Sequence, residues 1–168
     1  MGRPKARLPW YEGTLLEAHV GQLGTRSHRV VVAWGAEDLR DLELDVSWIQ
    51  CPDWHEQRMF DSLRAVLRAF PAIDSAWVTP VDVPPVPTAV LDAFEAARSA
   101  VPTHKGRAGH PVLLAGNELQ RARDVDVEGG LRSLLRDVPR VEVGWESVDV
   151  DFDDPPSWRS FVGSRVEV

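Results

Sequence analysis

The order of apolar patterns along the chain constrains the fold more than any other feature of the sequence. Residues 30–34 form a continuous apolar run, which is typical of a strand buried on both faces of a parallel sheet. Residues 59–70 carry apolar side chains at helical spacing and indicate an amphipathic helix. Further strands are predicted at 46–49, 75–81, 110–114 and 141–145, and further helices at 16–23, 90–100, around 119, at 131–135 and from 155. Strands that alternate with helices predict an α/β fold with a mostly parallel sheet.

Length and composition predict a single domain spanning residues 1–168. A chain of this length buries roughly 70% of the surface that it exposes when unfolded, which is enough for a substantial core. The net charge of −7 opposes a nucleic-acid-binding role, because such surfaces are usually basic. Cys51 is the only cysteine, which excludes an internal disulfide and fits a reducing compartment. No apolar run approaches about 20 residues and no signal peptide is visible, so we expect a cytoplasmic protein without a membrane partner.

One acidic residue lies where an α/β sheet usually binds its ligand. Ligands of such sheets occupy the crevice at the carboxyl ends of the strands. Asp82 directly follows the strand predicted at 75–81, and a carboxylate there suits Mg²⁺, which bridges to substrate phosphates. An alternative is that Asp82 only shapes a proline-rich turn or caps the next helix.

A second acidic group lies near the C-terminus. In an extended segment, Asp149, Asp151 and Asp153 would share one side, where carboxylates repel unless a cation lies among them. A calcium-binding EF-hand loop is excluded, because Asp154 occupies the position that requires glycine. The alternative is a solvated acidic turn in which Asp154 caps the final helix.

Two basic segments could bind anions. Residues 105–111 contain Lys105, Arg107 and two glycines. The glycines could let the backbone approach a bound anion closely, or the segment could be a surface hairpin. Within it, His110 could orient a ligand or bond to a backbone carbonyl. Near the N-terminus, Lys5 could bind phosphate as a point charge.

Several of these signals occur in one order along the chain. They are Met1-Gly2-Arg3-Pro4-Lys5 with Leu8-Pro9, Gly13-Thr14-Leu15-Leu16, Asp82-Val83-Pro84, Gly109-His110-Pro111, Gly130-Leu131-Arg132 and Asp151-Phe152-Asp153-Asp154-Pro155. This order resembles the molybdenum-cofactor nucleotidyltransferases, a family of MobA-like NTP transferases. The Pro-Lys and Gly-His-Pro features are more similar to its cytidylyltransferase branch than to its guanylyltransferase branch.

The resemblance implies a Rossmann-like three-layer sandwich and a Mg²⁺-dependent enzyme. Such an enzyme would transfer a nucleoside monophosphate, CMP from CTP rather than GMP from GTP, to a phosphorylated acceptor such as molybdopterin and release pyrophosphate. The implied nucleotide-binding residues are Gly2, Arg3 and Lys5, and the implied catalytic residues are Lys5 and Asp82. The implied metal ligands are Asp82 with Asp151 or Asp153. The implied acceptor-side residues are Arg107, Gly109 and His110.

The sequence also departs from the family pattern. Members of the family open with a strand and a Gly/Ser turn, and in this sequence Met1 aligns with the end of that turn. Loss of a central strand would leave two unpaired edges, so we expect the 168-residue chain to be poorly stable. Either the reading frame starts upstream, or the protein is a non-catalytic relative that binds a pterin or a partner. A nucleotidyltransferase for another phosphorylated acceptor is a third possibility.

Overall fold

The computed structural model describes residues 4–94 and 97–163, which form nine strands and six α-helices. The strands are β1 (Pro9–Trp10), β2 (Gly13–Thr14), β3 (Val31–Trp34), β4 (Ser47–Gln50), β5 (Ser75–Val78), β6 (Val101–His104), β7 (Arg107–Ala108), β8 (Val112–Ala115) and β9 (Arg140–Glu142). The helices are α1 (Leu15–Gly24), α2 (Met59–Ala69), α3 (Thr88–Asp92), α4 (Gly116–Asp124), α5 (Gly130–Leu134) and α6 (Pro155–Gly163). The predicted alternation of strands and helices is confirmed.

Local sequence accounts for the start of α1. The Thr14 hydroxyl accepts a hydrogen bond from the Glu17 amide at 3.3 Å, and the Glu17 carboxylate accepts one from the Thr14 amide at 2.5 Å. This reciprocal pair satisfies two amides that a helix start otherwise leaves unbonded. Thr14 is therefore the N-cap of α1.

The sheet is only partly parallel. The pairs β3–β4 and β6–β9 are parallel, whereas β1–β2, β5–β8 and β6–β7 are antiparallel. Among the described residues, β3–β4, β5–β8 and β7–β6–β9 form separate small sheets. The strand predicted at 75–81 ends at Val78, before Pro80, which has no amide hydrogen for a ladder.

The prediction did not include β1, β2 and β7, and it differs most from the structure between residues 90 and 104. The helix expected over 90–100 ends as α3 at Asp92, and Ala100 instead forms an antiparallel bridge with Leu113. The strand β6 was not predicted, because its four residues include Pro102, which is rare inside sheets. Here the Pro102 carbonyl still accepts a hydrogen bond from the Gly109 amide at 3.1 Å.

The strand β8 is covered on both faces, which gives three layers. Val112 and Leu114 point to a cluster that includes Leu67 of α2 and Leu119 of α4. Leu113 points the other way, into a second cluster with residues of α1 and α3. Alternating side chains of one strand thus join helices on opposite sides of the sheet. None of the helices within 4–94 and 97–163 is long and apolar enough to cross a membrane.

Candidate functional site

The candidate site forms where the acidic C-terminal segment meets the residues that follow β5. The backbone carbonyl of Asp82 accepts a hydrogen bond from the Phe152 amide at 2.7 Å. The Phe152 ring is fully buried and packs against Trp10 and Phe161. Because Phe152 points inward, the side chains of Asp151 and Asp153 on either side of it lie at the surface. A single aromatic anchor therefore holds the acidic segment beside Asp82.

Lys5 joins two of the predicted carboxylates. Its ammonium group donates to the Asp82 carboxylate at 2.9 Å and to the Asp153 carboxylate at 3.1 Å. Partial burial acts to lower the pKa of Lys5, but the hydrogen bonds to Asp82 and Asp153 outweigh it, so the pKa is raised. Lys5 begins a short 3₁₀ turn, and the side chain of the next residue, Ala6, is buried against the loop after β3. This turn fixes the lysine at the carboxyl end of β5.

The predicted metal ligands are brought together only in part. Asp82 and Asp153 share the Lys5 ammonium, whereas Asp151 is exposed and is not bonded to Lys5. In the described parts of the chain, no group of three or more His, Cys, Asp or Glu side chains is close enough to hold a metal ion. Gly2 and Arg3, the other predicted nucleotide-binding residues, lie outside the described residues.

The predicted acceptor-side loop is tied to the same C-terminal segment. The His110 amide donates to the Val148 carbonyl at 3.1 Å. A Cβ atom at Gly109 would lie only 1.6 Å from that same carbonyl oxygen, so no side chain fits there. The His110 residue is half-buried, and its Nδ1 atom, itself buried, has no partner among the described protein atoms. Burial lowers the pKa of His110, although a hydrogen bond at the Val78 backbone and the nearby Asp82 charge oppose that effect.

Arg107 lies on a hairpin at the protein surface. Lys105 and Gly106 both have positive φ, which forms the tight turn between β6 and β7. The Arg107 guanidinium pairs with the Asp149 carboxylate at 3.1 Å, and 58% of the arginine side chain is exposed. The surface-hairpin alternative describes this segment correctly, and a role for Arg107 toward an acceptor stays a prediction.

Sequence reasoning overlooked His19. This residue of α1 is buried, and its Nε2 lies 3.0 Å from the Val83 carbonyl oxygen, directly after Asp82. Burial lowers the pKa of His19 to about 4, despite the Val83 hydrogen bond and the Asp82 charge. The imidazole is therefore neutral near pH 7 and positions the backbone beside Asp82. Its place between Leu16 and Leu23 on the apolar face of the helix was the available signal.

Comparison with known proteins identifies the family. The sequence pattern described as the MobA-like NTP transferase domain matches residues 1–143. The chain belongs to this family. A curated relative, the molybdenum cofactor cytidylyltransferase of Escherichia coli (strain K12), is 26% identical over 172 residues, which span 92% of this chain and 85% of the relative.

Solved structures share the fold of this MobA-like domain. A nucleotidyl transferase from Methanothermobacter thermautotroptrophicus superposes with a TM-score of 0.77 at 19% identity, covering 96% of this chain and 85% of that one. The Rv0371C protein of Mycobacterium tuberculosis H37Rv, solved in complex with manganese, gives a TM-score of 0.70 at 20% identity, with 96% and 92% coverage. These structures confirm the α/β, Rossmann-like fold class, and the family match over residues 1–143 confirms the assignment of the chain as a nucleotidyltransferase.

The cluster in this MobA-like domain has the chemistry of a cation site. The two carboxylates already share one positive charge, the Lys5 ammonium, at hydrogen-bonding distance. Mg²⁺ is commonly held by one or two carboxylates, with water and substrate phosphates as the remaining ligands. The two carboxylates therefore fit a divalent ion whose remaining ligands come from a triphosphate, rather than an ion bound by protein groups alone.

Proposed function

We propose that this protein transfers CMP from CTP to a phosphorylated acceptor such as molybdopterin and releases pyrophosphate. The observation that carries the proposal is the convergence of Lys5, Asp82 and Asp153 at the carboxyl end of β5. The choice of cytidine and of a pterin acceptor is supported by the relative named as a molybdenum cofactor cytidylyltransferase. The reaction is placed in the cytoplasm, where the free thiol of Cys51 suits a reducing environment.

In this proposal Asp82 and Asp153 hold Mg²⁺, with Asp151 as the neighbouring alternative ligand. The ion, when bound, would neutralise charge on the triphosphate. Lys5 then leaves its carboxylate partners and binds the phosphates of the nucleotide. Gly2 and Arg3 would bind the nucleotide beside it. The Lys5 ammonium is charged at neutral pH with or without its carboxylate partners, because the ordinary pKa of lysine is far above 7 and the partners raise the pKa further. Catalysis would rest on positioning and charge stabilisation, because phosphoryl-type transfer needs little covalent chemistry from the protein.

The acceptor side would be formed by Gly109 and His110, with Arg107 at its rim. Because Gly109 has no side chain, its backbone can lie directly against the Val148 carbonyl. This close approach leaves the His110 ring beside Asp82. His110 is neutral near pH 7, so it would act on an acceptor as a hydrogen-bonding group rather than as a charge. The exposed Arg107 could exchange Asp149 for an acceptor phosphate.

Calorimetric titration with CTP and with GTP, each with Mg²⁺, tests the nucleotide assignment. We expect CTP to bind more tightly than GTP, either to the 168-residue chain or to a version extended upstream in its reading frame. Binding by the extended version alone would place the missing contacts upstream of Met1. Failure of both versions to bind either nucleotide would contradict the proposal and favour the non-catalytic relative.

Substitution of the carboxylates tests the metal assignment in whichever version binds. Asp82→Asn and Asp153→Asn should each lower the rate of pyrophosphate release at least 100-fold, because the amide cannot supply a charged ligand. Asp137→Asn is the matched control, since Asp137 is exposed and lies outside the cluster. Circular dichroism establishes that each variant is folded. Full activity in folded Asp82→Asn would remove Asp82 from the mechanism.

A further inference from the structure

The short turn that carries Lys5 directs three consecutive side chains to three sides. It is a 3₁₀ turn over Lys5–Arg7, in which the Leu8 amide donates to the Lys5 carbonyl at 3.1 Å. A 3₁₀ helix has three residues per turn, so successive side chains lie about 120° apart. The Lys5 side chain faces the two carboxylates of the candidate site, and Ala6 is buried in the core. Arg7 is therefore directed to a third side.

On that third side, Arg7 binds the segment that follows β3. Its guanidinium donates from Nε to the Glu37 carboxylate and from Nη2 to the Asp41 carboxylate, each at 2.6 Å. The same Nη2 atom also lies 3.1 Å from the Asp38 backbone carbonyl and donates to it. One side chain thus contacts three positions of a single segment, which suits the fixed, planar arrangement of donors in a guanidinium.

These contacts of Arg7 differ from an ordinary surface ion pair. Exposed pairs contribute little to stability, because both side chains must be ordered and water screens their charges. Only 25% of the Arg7 side chain is exposed, and one of its acceptors is a backbone carbonyl. The neighbouring pair of Arg40 with Asp38 lies within the segment itself, and 61% of the Arg40 side chain is exposed. Arg7, unlike Arg40, joins two distant parts of the chain.

The Lys5–Arg7 turn connects the carboxyl ends of two strands that belong to separate sheets. Lys5 is bonded to the segment after β5, and Arg7 is bonded to the segment after β3. Between these contacts, Ala6 lies in one apolar cluster with Leu39 of the segment after β3 and Val81 of the segment after β5. Because the described parts of β3 and β5 are not paired with each other, the turn is itself a link between them. Arg7 therefore fixes the backbone that carries Lys5 from the β3 side.

We propose that Arg7 is a positioning residue for nucleotidyl transfer and that it acts through Lys5. By holding the turn against the segment after β3, it keeps the Lys5 ammonium at the carboxyl end of β5 when Asp82 and Asp153 bind a metal ion. A displaced ammonium would meet the phosphates poorly, and small displacements of a positioning group are costly. The effect on the nucleotide rests on the proposed function, whereas the effect on Lys5 can be measured without any nucleotide.

Acylation of the two lysines of the chain tests the placement of Lys5 directly. In the parent protein, Lys5 should react with acetic anhydride more slowly than the exposed Lys105, because its side chain is 27% exposed and bonded to two carboxylates. Arg7→Ala should raise the ratio of Lys5 to Lys105 labelling by about threefold or more, since those charge-assisted bonds loosen. Peptide mass spectrometry measures the ratio. The control Arg136→Ala, at an exposed arginine outside the cluster, should leave it unchanged, and an unchanged ratio in folded Arg7→Ala would overturn the proposal.

Variants on the acidic side keep the test decisive if Arg7→Ala does not fold. The side chains of Glu37 and Asp41 are 43% and 64% exposed, so Glu37→Gln combined with Asp41→Asn removes both charges with little change in packing. This double variant should raise the labelling ratio of Lys5 as Arg7→Ala does. Adding Arg7→Ala to it should have little further effect, because both changes remove the same interaction. An unchanged ratio in the double variant, or fully additive effects, would overturn the proposal.

Calorimetric titration with CTP and Mg²⁺ separates this role of Arg7 from the proposed function. Arg7→Ala should weaken nucleotide binding about tenfold in the parent background and should have little effect when Lys5→Ala is already present, because Arg7 acts through Lys5. Equal tenfold losses in both backgrounds would show that Arg7 acts by another route and would overturn the proposal. A changed labelling ratio in a protein that binds no nucleotide would contradict the proposed function and still support the placement of Lys5 by Arg7.

Discussion

At the residue scale, the environment of Asp82 is defined by groups that lie on four distant parts of the chain. Lys5 and Asp153 supply charge partners, His19 binds the carbonyl of the following residue, and His110 lies nearby. Burial lowers the pKa of both histidines, so neither competes as a cation with Lys5 near neutral pH. Within 4–94 and 97–163, Lys5 is therefore the cation that pairs with the Asp82 carboxylate.

Protonation of His19 should make the free energy of unfolding depend on pH. Its pKa is about 4 in the folded protein and about 6.5 when unfolded, so the unfolded state binds more protons between these values. Stability is fully present above pH 6.5 and is lost as the pH falls through 4, by at most about 3 kcal/mol. In urea titrations, His19→Gln should lose less unfolding free energy than the parent between pH 7 and pH 4. The control His28→Gln, at an exposed histidine, should follow the parent. Identical pH dependence in parent and His19→Gln would contradict this assignment.

At the scale of elements, the acidic segment and the loop between β7 and β8 are positioned by close backbone contact. The buried Phe152 ring holds the acidic segment in place. Gly109 permits the contact with the Val148 backbone because it has no side chain. Both contacts place a predicted site segment against residues far away in sequence.

Gly109→Ala should disrupt this contact. The new methyl group would meet the rigid Val148 carbonyl at 1.6 Å, so one backbone must move. We expect a loss of about 2–3 kcal/mol in unfolding free energy, of the size seen for overpacked sites, and faster exchange of the His110 amide. Gly144→Ala is the control, since no atom lies within 4 Å of a Cβ at that position. Equal stabilities of the two variants in urea denaturation would show that the backbones can separate freely.

Local patterns predicted the elements better than their pairing. The helix α1 and the strands β3 and β4 depend on patterns of neighbouring residues, and each was predicted to within one residue at either end. The strand β6 was missed because Pro102 argues locally against a strand, and the antiparallel β5–β8 pair has no local signal. For the site, the rule of carboxyl strand ends selected Asp82. The distinction between Asp151 and Asp153 could not be predicted, because both flank Phe152 and only the position of Lys5, far away in the sequence, tells them apart.

At the scale of the whole molecule, a cavity of about 910 Å³ lies between β3 and β5. The apolar strands beside it are only partly buried, and within the described residues each of them pairs on one edge. Exposed strand edges of this kind template association between chains. The 168-residue chain should therefore bind the dye ANS, which reports exposed apolar surface, and aggregate as its concentration rises.

A fluorescence titration with ANS and light scattering over a concentration series measure these two effects. A chain that binds no ANS and stays monomeric at every concentration would show that the edges of β3 and β5 are covered in solution.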